Sequence, residues 1–197
     1  MIIGITGSIG SGKTTIAKLF SRHLYSRIDA DEIGHEIIKK NSAAYKKIIK
    51  KFGIGILDKD KEIDRSRLAN IVFNNNKKLK ELNSITHPTI INEIKNQIKK
   101  IKEKCGSKTR IIIDAPLLLE AKAKNFVDKI IVVECDKKNI LKRSKKYSEE
   151  KIERILKLQM PLEEKIKHAD FVIDNNKGME HLEKQVIKII KRVENKN

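Results

Sequence analysis

Eight consecutive residues near the amino terminus, Gly7-Ser8-Ile9-Gly10-Ser11-Gly12-Lys13-Thr14, narrow the possible folds more than any other feature of the chain. They fit the pattern G-x-x-x-x-G-K-S/T and stand where that pattern must stand. A short apolar run, Ile2 to Thr6, precedes them, and Ile16, Leu19, Phe20 and Leu24 follow at helical spacing. A loop that wraps a phosphate chain in backbone N–H groups needs positive φ and no side-chain bulk, which Gly7, Gly10 and Gly12 supply. The amino end of the next helix adds partial positive charge, Lys13 can reach the β and γ phosphates, and the Thr14 hydroxyl is a Mg²⁺ ligand. The expected unit is therefore strand, phosphate-binding loop and a helix from Lys13 to Leu24.

The rest of the chain supports a parallel sheet around that unit. Ile111 to Asp114, Lys129 to Glu134 and Phe171 to Asp174 are short continuous apolar runs, the pattern of strands covered on both faces. Helical stretches separate them, so crossover helices and an α/β fold are expected. From Glu32 to about Gln97 the pattern is helical with no convincing strand, which reads as an insertion. A final amphipathic helix is expected after Met179, with a frayed basic end over Glu194 to Asn197.

Carboxylates fall where such a sheet would deliver them. Asp29 and Asp31 follow the second strand and would emerge at the edge on which the glycine-rich loop opens. One of them, Asp31 above all, can accept a proton from an attacking hydroxyl, the other reading being an N-cap for a helix from Glu32 to Lys40. Asp114 ends a strand before Ala115-Pro116, a position from which a carboxylate holds a Mg²⁺-bound water. His87-Pro88, in the insertion, reads as a turn or cap or as a group facing substrate, and Arg65 is equally open. His35 and His168 read as surface or satisfied residues.

Charge and cysteine content exclude less than they first suggest. The chain has 197 residues, enough for one substantial α/β core with a helical insertion. Lys and Arg number 44 against 26 Asp and Glu, for a formal charge of +18. The excess is mostly Lys spread along the whole chain with much Ile and Asn, the mark of drift toward A/T-rich codons. The few aromatics do not interleave with the basic runs as a stacking platform requires, so no specific nucleic-acid partner is expected. Cys105 and Cys135 match no metal spacing and are expected to stay reduced. Residues Met1 to Thr6 lack a charged leader region and no apolar run approaches a membrane span, so a cytoplasmic protein without membrane contacts is expected.

Taken in order, the motifs resemble one family, the dephospho-CoA kinases, over almost the entire chain. The resemblance rests on Gly4-Ile5-Thr6-Gly7 leading into Ile9-Gly10-Ser11-Gly12-Lys13, on Ile28-Asp29-Ala30-Asp31, and on Phe52-Gly53 with Ile56-Leu57-Asp58. It continues through Asp64-Arg65 with Leu68, Val72-Phe73, Ile85-Thr86-His87-Pro88 and Asp114-Ala115-Pro116-Leu117-Leu118 with Glu120. It closes with Arg154-Ile155, Gln159, Ala169-Asp170 and Val172-Ile173-Asp174-Asn175.

The resemblance implies an ATP-dependent kinase that phosphorylates the ribose 3′-hydroxyl of dephospho-CoA, the last step of coenzyme A synthesis, in a P-loop NTPase fold with a five-stranded parallel sheet. It implies a core over residues 1–31, 100–137 and 156–197, a helical substrate-binding insertion over 32–99 and a small mobile lid over about 138–155. ATP is the co-substrate and Mg²⁺ the cofactor. Gly7, Ser8, Ile9, Gly10, Ser11, Gly12, Lys13, Thr14 and Thr15 form the implied ATP site, with Thr14 and Asp114 on the metal side. Asp31 is the implied base, Lys13 and Arg143 act with it, and Asp31, Arg65, His87 and Pro116 meet the CoA-like substrate. A monomer or small homo-oligomer is expected.

The lid departs from the family pattern. Family members commonly carry a second Arg, followed by Asp, after the Leu-x-Arg that matches Leu141-Lys142-Arg143. Here the chain is shorter and reads Ser144-Lys145-Lys146-Tyr147. An ammonium does not reproduce the planar fork of a guanidinium, so Arg143, with Lys145 or Lys146, is left to neutralise phosphate, or turnover is slow. Ser8 where Gly is usual and Ala115 where Val is common are mild changes. Two other readings stay open: a P-loop kinase for a nucleoside, nucleotide or sugar, and a nucleotide-dependent switch binding RNA or a protein. The switch lacks the N-K-x-D element that reads guanine.

Overall fold

The computed structural model describes residues 1–121, 123–145 and 147–195. The chain divides into two compact units, one of Met1–Asp29 with Lys100–Asn197 and one of Ala30–Lys99. In chain order the elements are β1 (Ile2–Gly7), α1 (Lys13–Ser21), β2 (Ser26–Asp29), α2 (Ala30–Glu36), α3 (Ala43–Phe52), α4 (Arg65–Phe73) and α5 (Asn76–Cys105). They continue as β3 (Ile111–Asp114), β4 (Lys129–Glu134), α6 (Lys137–Arg143), α7 (Glu149–Leu158), α8 (Leu162–Lys167), β5 (Phe171–Asp174) and α9 (Met179–Glu194).

The first unit is built on a five-stranded sheet of order β2-β3-β1-β4-β5. Each neighbouring pair is parallel. Every residue of β1 and β3 is buried, as strands covered on both faces require. Ile3, Ile5, Ile112, Ile131, Val133 and Ile173 pack on one side against Ile16, Leu19 and Phe20 of α1 and Leu182, Val186 and Ile189 of α9. Each such apolar side chain contributes about 1.5–3 kcal/mol on burial. β1 lies centrally, and the glycine-rich loop leaves its carboxyl end directly into α1.

The second unit is helical. Tyr45 and Ile48 of α3, Leu68 and Val72 of α4, and Ile56 and Ile63 between them form its core. Polar caps fix where its helices begin. The Ser42 hydroxyl accepts the Tyr45 N–H at 3.0 Å, and the Asp64 carboxylate accepts Ser66 and Arg67 N–H at 2.9 and 3.1 Å. Among the described residues no helix is long and apolar enough to cross a membrane.

Several sequence expectations require correction. The helix expected over Glu32 to Lys40 starts earlier, at Ala30, and ends at Glu36, with Asp31 in its first turn. α1 stops at Ser21, and Leu24 instead sits exposed in left-handed backbone at φ 65°. His87-Pro88 forms no turn, because α5 runs through Pro88 without a break. A proline there removes one backbone donor. Beside it, the Thr86 and Thr89 hydroxyls donate to the Leu82 and Ile85 carbonyls at 3.1 and 3.3 Å, adding local hydrogen bonds around the defect. Glu194, expected to fray, belongs to α9 and pairs with Arg110, while Lys196 and Asn197 lie outside the described residues.

Candidate active site

At the mouth of β1 the loop has the backbone its glycines were expected to allow. Gly10 and Gly12 have φ of 69° and 93°. A Cβ on Gly12 would run into the Asn175 amide, and one on Gly10 into the Ser144 hydroxyl, so neither position tolerates a side chain. The Lys13 side chain is buried and folds back over the loop. Its ammonium donates to the Gly7 and Ser8 carbonyls at 3.1 and 2.8 Å.

Thr14 and Asp114 meet as their chain positions suggested. The Thr14 hydroxyl donates to Asp114 Oδ2 at 2.8 Å, and Asp114 is only 3% exposed. Asp114 is delivered by the register, which aligns it with Ile5 on one side and Asp29 on the other. Arg27, two residues before Asp29, places Nη2 on Asp29 Oδ2 and, at 3.3 Å, on Asp114 Oδ2. A hydroxyl and a carboxylate set side by side are hard oxygen donors and fit Mg²⁺. Among the described residues no group of three or more His, Cys, Asp or Glu side chains is arranged to hold a metal, so phosphate oxygens would have to complete its shell.

Other side chains hold the loop from outside. The Asn175 amide donates to the Ser11 carbonyl at 2.7 Å, and the Ile9 N–H donates to Gln159 Oε1 at 3.1 Å. Arg143, the last residue of α6, is exposed overall, yet its guanidinium is tied back to the first unit's own residues. Its Nη2 donates to the Asn175 carbonyl at 2.9 Å and its Nη1 to Cys135 Sγ at 3.3 Å, which puts the guanidinium beside Gly12. Burial pushes the Cys135 thiol up from its ordinary range, opposed by the Arg143 charge, and Asp136 and Asp174 raise it further. Lys145 is exposed, and Lys146 lies outside the described residues.

Beneath the loop a buried ammonium ties three segments together. Lys165 of α8 is fully buried and donates to Glu120 Oε1 at 2.9 Å, to the Pro116 carbonyl at 2.9 Å and to Thr6 Oγ1 at 3.5 Å. Pro116 thus enters through its carbonyl, which also accepts the Thr6 hydroxyl at 3.0 Å. Glu120 Oε1 further accepts the Met160 N–H at 2.9 Å.

The remaining candidates belong to the helical unit. Asp31 is exposed in the first turn of α2, Arg65 is the exposed first residue of α4, and His87 is half-buried within α5. His35 and His168 are exposed. Arg27 and Lys165 drew no notice in the sequence, and Glu120, Gln159 and Asn175 entered only as residues of the family pattern, with no role in the site. Arg27 had a signal, since it alternates with Asp29 along a strand.

The site can be set beside known proteins. The sequence model of the family described as dephospho-CoA kinase matches residues 1–181. A dephospho-CoA kinase from Carboxydothermus hydrogenoformans is 43% identical over 195 residues, covering 97% of this chain and 93% of that protein. Among solved structures, a crystal structure from Thermus thermophilus superimposes with a TM-score of 0.81 at 25% identity, covering 98% of this chain and 96% of that one. A dephospho-CoA kinase from Campylobacter jejuni gives a TM-score of 0.68 at 32% identity, with coverage of 98% and 96%.

Proposed function

The chain belongs to the dephospho-CoA kinase family, and from that premise we propose that it transfers the γ-phosphoryl group of Mg-ATP to the ribose 3′-hydroxyl of dephospho-CoA. The observation that carries this reading is the pairing of Thr14 with Asp114 at the foot of a glycine loop whose Lys13 ammonium already lies across its carbonyls.

Loop N–H groups and the amino end of α1 receive the phosphate chain. Lys13 exchanges the Gly7 and Ser8 carbonyls for phosphate oxygens and then neutralises charge that spreads over the transferred group. Thr14 and Asp114 would hold Mg²⁺ on their side of the loop, Asp114 through water, and the ion would supply positive charge to offset that of the phosphates. Arg143, fixed by Asn175 and Cys135 beside Gly12, supplies a guanidinium to the same phosphates.

Asp31 takes the proton from the attacking hydroxyl. It lies two residues beyond Asp29, the end of a sheet strand, in the first turn of a helix. Arg65 and His87 bind the acceptor. The test is ADP release measured with dephospho-CoA, nucleosides and sugars offered singly. The reading requires release that depends on dephospho-CoA, and equal release without an acceptor would favour a hydrolytic switch.

A further inference from the structure

Alternate residues of a strand share a face, so β2 presents Arg27 and Asp29 together. The parallel register sets Asp29 beside Asp114 on the adjoining strand, about 4.8 Å away in such a sheet. Two carboxylates thus meet at the carboxyl edge of β2 and β3, and a single nitrogen, Arg27 Nη2, contacts Oδ2 of both. The Arg27 and Asp29 side chains are 23% exposed and that of Asp114 5%, so water screens the trio only in part. Asp114 Oδ2 also accepts the Thr14 hydroxyl. One oxygen therefore serves both the loop threonine and Arg27.

We propose that Arg27 is a positioning residue that occupies the cation side of the Asp29–Asp114 pair, so that the free enzyme does not collect a divalent cation and the cation enters with the nucleotide. This deepens the proposed kinase function and rests on it for the placing of Asp114 on the metal side. Without a countercharge, adjacent carboxylates repel one another and form the hard oxygen cluster that Mg²⁺ or Mn²⁺ seeks. The guanidinium carries a fixed positive charge, so it offsets the pair as long as no nucleotide is bound. Against two carboxylates the single Arg27 charge leaves the trio with one net negative charge, a poor match for a bare divalent ion. Phosphate oxygens supply the missing negative charge when the nucleotide arrives. Meanwhile Arg27 holds Asp114 aimed at Thr14.

Mn²⁺ binding to nucleotide-free protein tests this, read by the paramagnetic relaxation of water protons. Wild type and Arg27→Lys, which keep the charge, should bind weakly. Arg27→Val and Arg27→Gln should bind Mn²⁺ at least about tenfold tighter, and adding Asp29→Asn to either should return the affinity to the wild-type level. Gln keeps most of the bulk and carries the test if Val fails to fold. Partial unfolding weakens a site of this kind, so a gain of affinity separates positioning from mere structural support. Folded Arg27→Gln within twofold of wild type would overturn the proposal, as would a gain that survives Asp29→Asn. Neither nucleotide nor acceptor enters the measurement, so its outcome is independent of whether dephospho-CoA is the substrate.

Discussion

Replacing Lys165 with Met removes the positive charge paired with Glu120 beneath the loop. The ammonium is fully buried and makes three contacts, to Glu120, the Pro116 carbonyl and Thr6. Met fills similar volume, so the loss is electrostatic and not a cavity. Glu120 keeps the Met160 N–H on Oε1, but its Oε2 is buried with no hydrogen-bond partner. Removing one partner of a buried ion pair costs about 3–5 kcal/mol, because the other charge is stranded. With a urea dependence of about 2–3 kcal/mol per molar, the unfolding midpoint should fall by roughly 1–2.5 M. Lys165→Met with Glu120→Gln should recover about half of that loss, since the neutral amide needs no countercharge and the Glu120 side chain is still 18% exposed. Urea unfolding of the two singles and the double, followed by circular dichroism, decides it. Lys165→Met within about 1 kcal/mol of wild type, or a double mutant no more stable than that single, would refute the reasoning.

Asp31→Asn should lower turnover far more than it raises the Michaelis constant for ATP, because a base acts on the acceptor hydroxyl in the transition state; an effect on thermal stability alone would make Asp31 a helix-terminus residue. Arg143→Ala should cost about 10²-fold in turnover with a smaller effect on ATP binding, and a variant within twofold of wild type would remove Arg143 from the chemistry. Burial holds the Cys135 thiol above its ordinary range, so its contribution to stability is complete below the unfolded thiol pKa of about 8.5 and is lost as pH rises through the folded value. Cys135→Ala should therefore flatten the fall of urea-unfolding stability above about pH 8.5, and an unchanged slope would contradict the assignment.

The sheet was legible because its chemistry is one-dimensional. The runs at β3, β4 and β5 are continuous and apolar and their boundaries agree with the structure, but only β3 and most of β4 are buried on both faces, while β5 is an edge strand whose Val172 is exposed. The left-handed backbone at Gly10 and Gly12 and the meeting of Thr14 with Asp114 were legible because the pattern G-x-x-x-x-G-K-S/T constrains spacing as well as residue type. Helix ends were less so. Pro88 reads as a break, yet α5 continues through it with Thr86 and Thr89 bonding to carbonyls of the preceding turn. Lys165 was illegible: a lysine in a charged, helical stretch reads as solvated, and only the tertiary approach of Glu120 and Pro116 buries it. Asn175 was visible as part of a motif, but its hold on the Ser11 carbonyl depends on β5 ending beside the loop.

The proposed reaction puts a phosphoryl group on one hydroxyl of dephospho-CoA. Phosphorus NMR of the product formed from Mg-ATP and dephospho-CoA tests it directly, with Lys13→Ala as the inactive control. One new phosphomonoester at the ribose 3′ position is expected, with one ADP for each product formed, and neither with Lys13→Ala. ADP without a new phosphomonoester, a phosphoryl group on another hydroxyl, or full transfer by folded Lys13→Ala would contradict it.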